Sequence, residues 1–423
     1  MSKALSLNKE LLLKLKLSEN GRKSDTSSTP SSQDYTRSNK NNSREKSTRK
    51  SGGQKGHKGS TLKMSKAPDE IKEYKPEVCE NCGASFKNDI KYTLEKRRQE
   101  IVIPPIRPNY VEHQSYSCSC ANCGQINNSE LPSRLKANIQ YGRDIQAQVA
   151  YLSAYQYLPS NRIKRYFQDF MNLSISEGTI FNIIKSVSVK SMPYYEYIRD
   201  QIAKASWLGG DETGAKINGK KAWFWVFQNK SFTYLKAASS RGYESIIETF
   251  EDGFPHSVYV SDSLPAQLKV KTYAKQLCLA HLLRELKNFE TAFNSQWAKD
   301  LKEVLKNAIS YKNQMTETDY QEGNPKVIQF EKRLSNLLEI DYSEEHKKQK
   351  ALIKRLIKRR ESIFTFLYHA EVPPDNNSSE RAIRNLKVKM KISNQFKSDI
   401  FAQYYAILRS VIDTSIKKSN DVF

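Results

Sequence analysis

Apolar and polar positions recur with different periods in successive stretches of the chain, and each period predicts a different element. Leu11, Leu12, Leu13, Leu15 and Leu17, interrupted by lysines, fit one short amphipathic helix within residues 1–20, too short for a stable coiled coil alone. Residues 18–60 are mostly Ser, Asn, Lys, Arg and Gly, so burial cannot offset the entropy of ordering them. A disordered arm is therefore expected over 21–70. Between 71 and 130, alternation at 100–103 and again at 110–116 predicts a hairpin. Helical spacing returns over 131–198: a helix from Tyr141, another after Leu158-Pro159 with Ser160 or Asn161 as cap, and a third from Glu177 behind Ser176. Two helices joined by a short turn have the shape of a helix-turn-helix, although any helical hairpin looks similar. In the former case Ser176, Thr179 and Asn182 face a major groove.

From 203 the period shortens to that of strands. Residues 205–217, 221–227 and 231–237 form a predicted antiparallel meander, followed by a helix at 245–251 and a fourth strand, 257–262, ending on Asp262. Strand, helix, strand implies a right-handed crossover into a mixed sheet, which sets Asp211 and Asp262 on neighbouring strands where they can share a cation. Residues 281–371 are helical in pattern, and the 117 residues between Asp262 and Glu380 exceed any simple connection. A helical insertion at about 287–371 is expected. Within it, 346–360 hold eight Lys/Arg and no acid, with Leu352, Ile353, Leu356 and Ile357 as the apolar stripe. Against a merely solvated face, the absence of acid favours contact with a DNA backbone through Lys354, Arg355 and Lys358.

Charge narrows the partners. The chain carries +23 on 423 residues, a balance that gathers polyanions. Its distribution is blocky: residues 1–65 are net +10, residues 66–130 net −1, and residues 199–423 net +10. The arm, with Lys55 and Lys58, is read as neutralising phosphates rather than as a plain solvated tail. No run of 18 apolar residues and no signal-peptide core are present, so a cytoplasmic protein without a membrane partner, nucleoid-associated when bound to DNA, is expected.

Two groups of residues carry candidate chemistry. Cys79-Glu-Asn-Cys82-Gly and Cys120-Ala-Asn-Cys123-Gly are knuckles of the kind that hold Zn²⁺ by four thiolates, in preference to a redox pair or disulfides; Cys118 is an alternative to Cys120. The second group centres on Glu380. Pro374 blocks a helix before it and Asn376 or Asn377 caps one, so Glu380, Arg384, Lys387 and Lys391 share a face. Residues 381–397 hold six Lys/Arg and no acid, and Arg381 and Lys389 are counted with that DNA-facing set. Acids for a cation beside bases for phosphates suit metal-dependent phosphodiester chemistry, because clustered carboxylates repel without divalent metal. Cys278 and His281, at C-x-x-H spacing, are read as packing or helix-start residues.

These residues carry a resemblance. GGQKGHKG at 52–59, the C-x-x-C pairs, GGDET at 209–213, VSD at 260–262, CLAHLLREL at 278–286 and VPPDNNSSERAIRNLKVKMKIS at 372–393 resemble, in content and order, transposases of the insertion-sequence-66 family. The likeness runs from about residue 20 to the end. It implies a DNA transposase with a ribonuclease H-like mixed α/β core and Asp211, Asp262 and Glu380 as a DDE triad. The leucine-rich helix is shorter than the family's coiled coil, and Cys118 is extra.

The implied organisation is multidomain α+β: a leucine-rich helix (1–20), the basic arm (21–70), a zinc module (71–130), a helical DNA-binding region (131–198), the catalytic domain with its insertion (199–410) and a C-terminal tail (411–423). The implied chemistry uses two Mg²⁺ (or Mn²⁺) ions roughly 4 Å apart, with Asp211 given the bridging role, so that water nicks the element end and the freed 3′-hydroxyl joins it to target DNA. Double-stranded DNA, further copies of the chain and helper proteins of the element are the implied partners. An inactive, domesticated regulator and a nuclease without strand transfer are the alternatives.

Overall fold

The computed structural model describes residues 56, 58, 62–86, 91–341 and 347–420. The leucine-rich segment, most of the basic arm, Lys55 and His346 lie outside them. The chain divides into two compact units, residues 39–109 and the remainder from Tyr110 onward, and the division falls inside the stretch 71–130.

In the first unit Cys79-Glu-Asn-Cys82-Gly83 folds into a tight turn. The Gly83 N–H donates to Cys79 O (2.8 Å) and the Cys79 N–H to Ala84 O (2.9 Å), with Gly83 at φ +71°. In the second unit β1 (Ser117–Ser119) and β2 (Ile126–Asn128) pair antiparallel around the second knuckle. Its turn repeats the same bonds: Gly124 N–H to Cys120 O (2.8 Å) and Cys120 N–H to Gln125 O (2.8 Å), with Gly124 at φ +72°. The hairpin expected from 100–103 and 110–116 does not form, for residues 91–116 contain no strand. Ile101, Val102 and Ile103 are all exposed, so the alternation has no face to bury, and pairing without burial is marginal.

Three helices follow: α1 (Arg143–Ala154), α2 (Ser160–Met171) and α3 (Glu177–Ala203). The turn between α2 and α3 is left-handed at Asn172, and Ser176 caps α3 by accepting the Thr179 N–H at 3.0 Å. Ser176 is thus committed to the cap. The interior of α1–α3 is apolar, with Val149, Ile163, Phe167, Ile180 and Ile184 almost wholly buried.

The central sheet has five strands in the order β5-β4-β3-β6-β7. The expected meander is β3 (Trp207–Ile217), β4 (Lys220–Gln228) and β5 (Thr233–Ala238). A short helix, α4 (Tyr243–Ile247), leads to β6 (Phe254–Ser261), parallel to β3. Next, α5 (Pro265–Lys269) leads to β7 (Thr272–Leu277), parallel to β6 and absent from the sequence expectation. Its open edge at β5 is covered, since Ser410 and Thr414 accept the N–H groups of Leu235 (2.8 Å) and Thr233 (3.1 Å).

The insertion is helical as expected: α6 (Leu279–Phe293), α7 (Gln296–Lys312), α8 (Pro325–Leu338) and α9 (Lys347–Lys358), with two 3₁₀ turns at 360–362 and 365–367 instead of a continued helix. Its core (Leu286, Leu301, Leu305, Leu334, Leu352, Leu356) continues onto Val258 and Val260 of β6. Buried Gln276 of β7 fastens it, donating to Ile363 O (3.0 Å) and accepting from the Phe366 N–H (2.8 Å). The chain returns through α10 (Asn377–Ser393) and α11 (Asp399–Lys417). The expected tail from 411 is corrected by α11, which runs unbroken across that boundary with Ile412, Asp413 and Thr414 buried. No helix among the described residues is long and apolar enough to cross a membrane.

Candidate active site

The site is built on β3. Two glycines precede Asp211 because both faces of the strand are crowded there. A Cβ on Gly209 would lie 2.6 Å from Asn376 Oδ1 and 2.7 Å from Ser379 Oγ, at the start of α10. A Cβ on Gly210 would lie 2.1 Å from the Tyr259 hydroxyl on the opposite face. Gly209 therefore lets α10 dock on the face from which Asp211 projects, and Gly210 makes room for Tyr259 on the other. Asn376 completes the docking by donating from Nδ2 to Gly210 O (2.7 Å), and Gln228 Nε2 donates to Ser379 Oγ (3.2 Å).

Gly209 pairs with Val260, so continuing that register sets Asp211 level with Asp262 just past the end of β6. Glu380 stands in the first turn of α10. The carboxyl of Asp211 is raised to about 8, first by burial, then by the charges of Glu212 and Asp262, and more weakly by Glu380. Asp262 and Glu380 thus both lie within electrostatic reach of Asp211. Asp262 Oδ1 also accepts the Leu264 N–H at 3.1 Å, which orients it.

Four further residues border the carboxylates: Glu212, Tyr259 and Arg284, which the sequence does not single out, and His281, expected only to pack or to start a helix. Glu212 is pushed to about 7 by burial and by Asp262, while Arg241 opposes the shift; Gln267 Nε2 donates to its carboxylate at 3.3 Å. The Tyr259 hydroxyl is buried without a hydrogen-bond partner among these acids. His281 and Arg284, one turn apart on α6, both meet Glu380: His281 Nδ1 lies 3.6 Å and Arg284 Nη2 3.0 Å from Oε1. Burial, reinforced by Arg284, lowers the His281 pKa against the opposing charges of Glu380 and Asp262. Periodicity places His281 and Arg284 together, but not against a residue almost a hundred positions away.

The candidate DNA contacts divide. Arg381, Arg384 and Lys391 are exposed on α10 and Lys387 is half-exposed. Lys389 is not a DNA contact: it is 2% exposed, and its ammonium donates to the carbonyls of Ser153, Tyr157 and Leu158 behind the end of α1. On α9 Lys354 and Lys358 are exposed, whereas Arg355 is paired with Glu285. Ile357, expected in the apolar stripe, is 45% exposed. Asn182 is exposed, and half-buried Thr179 lies with its hydroxyl 2.9 Å from Ser176 Oγ. Lys58 is exposed. Cys82, Cys118 and Cys123 are exposed, and Cys79 and Cys120 are half-buried. Main-chain N–H groups of the knuckle turns lower the pKa of Cys79 and of Cys120.

Residues 138–404, which span α1 to α10, the whole sheet and the insertion, match the family model described as "Transposase IS66 family". A protein of Sinorhizobium fredii (strain NBRC 101917 / NGR234), called "Uncharacterized protein y4hP", is 23% identical over 408 residues, covering 84% of this chain and 71% of its own length.

Proposed function

The chain belongs to the IS66 family of transposases, and from that premise we propose that it cuts and joins DNA at the ends of an insertion sequence, with Asp211, Asp262 and Glu380 as its reacting centre. The observation that carries this is the position of Asp211 on β3 beside Asp262 at the end of β6 and Glu380 in the first turn of α10, where burial first and then these charges raise the Asp211 carboxyl to about 8. Three acids crowded in this way favour a divalent cation, and oxygen donors suit Mg²⁺ or Mn²⁺. Bound there, that metal would supply the Lewis acidity that activates water or a 3′-hydroxyl and stabilises the leaving oxygen. The protein's own contribution is positional. β3 and β6 fix two carboxylates in register, and the docked start of α10 fixes the third. The mixed sheet, three antiparallel strands extended by two parallel ones, supports the ribonuclease H-like reading.

Arg384, Lys387 and Lys391 follow Glu380 along α10 and would hold the phosphates beside the reacting one. The helices α1–α3, with Asn182 exposed, are the candidate reader of terminal repeats. Each cysteine knuckle presents two sulfurs on a glycine-closed turn, half of what zinc requires, and the matched turn geometry favours Cys120 over Cys118 as a ligand. Double-stranded DNA is the substrate, further copies of the chain bridge the two element ends, and helper proteins of the element complete the assembly.

Labelled element-end DNA tests the proposal. With Mg²⁺ the parent nicks the end and joins it to target, whereas Asp211→Asn does neither while binding with unchanged affinity. Cleavage by Asp211→Asn refutes the triad; binding alone by the parent indicates a regulator, and nicking without joining a nuclease.

A further inference from the structure

Beside the carboxylates lie two donors that strand cleavage and joining do not use, Cys278 and His281, and both reach toward Glu380. Cys278 closes β7 and opens α6, and the C-x-x-H spacing sets His281 one turn on, over the same point. His281 Nδ1 is 3.4 Å from Cys278 Sγ and 3.6 Å from Glu380 Oε1. Zinc bonds of about 2.3 Å to sulfur and about 2.0 Å to nitrogen and oxygen imply tetrahedral edges of about 3.5 Å and about 3.3 Å for those two pairs. All three ligand atoms lie within 4.8 Å of one another. The Asn376 N–H donates to Cys278 Sγ at 3.1 Å, the outer support that a metal-bound thiolate requires. The site is not sealed, for the His281 side chain is 44% exposed and leaves room for entry and for a water as fourth ligand.

We infer that Cys278, His281 and Glu380 form a zinc-class metal site whose occupation draws Glu380 away from Asp211 and Asp262 and so brakes magnesium-dependent cleavage. Sulfur and imidazole select zinc over magnesium, so a trace of one competes with an excess of the other. Binding releases the Cys278 thiol proton and changes no oxidation state. Arg284, which now shares Glu380, is 47% exposed and free to swing off. The site stands on its own geometry; the brake rests on Glu380 being catalytic.

The test uses the full chain with its knuckles filled with zinc, titrated with Co²⁺ and followed by thiolate-to-cobalt charge-transfer absorption. The parent takes up one further equivalent, and both Cys278→Ser and His281→Asn weaken that equivalent by more than about 100-fold. Should Cys278→Ser unfold, as a thermal melt will report, His281→Asn at the open side of the site gives the same answer. Identical titrations of parent and variants overturn the site. In a parallel cleavage assay with Mg²⁺, added zinc slows the parent by about tenfold or more, while Cys278→Ser cuts at the parent's unbraked rate and ignores zinc. Equal inhibition of both overturns the brake. A parent that never cleaves refutes the role of Glu380 and leaves the cobalt titration to decide the site alone.

Discussion

Asp211 shows how much of the site depends on single atoms. Its carboxyl titrates near 8 in the fold, against about 4 in an unfolded chain. Between those values the folded state holds more protons, so without metal its stability falls as pH rises from about 4 to about 8. Asp211→Asn removes that dependence. In chelator, the variant should gain on the parent by on the order of 1–3 kcal/mol between about pH 5 and about pH 8 in urea unfolding. A constant difference across that range would contradict the raised Asp211 carboxyl. Gly209, two positions before it, makes a second case: a methyl group there meets Asn376 Oδ1 and Ser379 Oγ, at the start of α10, at under 3 Å. Gly209→Ala should cost about 1–3 kcal/mol and lower cleavage by displacing Glu380, with Kd for DNA unchanged. The GGDET string was legible as chemistry from its acids. The need for both glycines was not, because Asn376 and Tyr259 reach them from distant parts of the chain.

At the scale of elements, α10 carries two roles on opposite faces. The four- and three-residue spacing that sets Glu380, Arg384, Lys387 and Lys391 along one side could be read from the sequence. Lys389 could not, since its partners are carbonyls more than 230 residues earlier. Burial lowers its pKa to about 8, and three carbonyls answer its charge, so it serves as a cap for the end of α1 rather than as a phosphate contact. Lys389→Met should therefore destabilise by about 1–3 kcal/mol in thermal melts while leaving DNA affinity intact. Arg384→Ala and Lys391→Ala should do the reverse, and each should flatten the salt dependence of binding by about 0.9 in the log–log slope. The same contrast explains β7. Thr272–Leu277 is too short and too mixed in polarity to announce a strand, and what makes it one is the waiting edge of β6 and the insertion fastened to Gln276.

At the scale of the molecule, the +23 charge is distributed by function rather than spread. Residues 66–130 are net −1 and contain both knuckles, whereas residues 1–65 are net +10 and residues 199–423, which hold the carboxylates, are also net +10. A carboxylate cluster would by itself repel DNA, and the exposed cations that follow Glu380 along α10 offset that repulsion. The density of Lys and Arg in residues 1–65 predicts a contribution to overall affinity and to the rate of encounter. Removing residues 1–61 should therefore leave the single-turnover cleavage rate at saturating DNA unchanged. Binding should weaken, and its salt slope should become shallower by about 0.9 for each phosphate released. The comparison is made by measuring Kd at several salt concentrations beside cleavage at saturation. A truncated chain that saturates but cuts slowly would mean that the basic N-terminal region takes part in arranging DNA at Asp211, Asp262 and Glu380, and not only in gathering it.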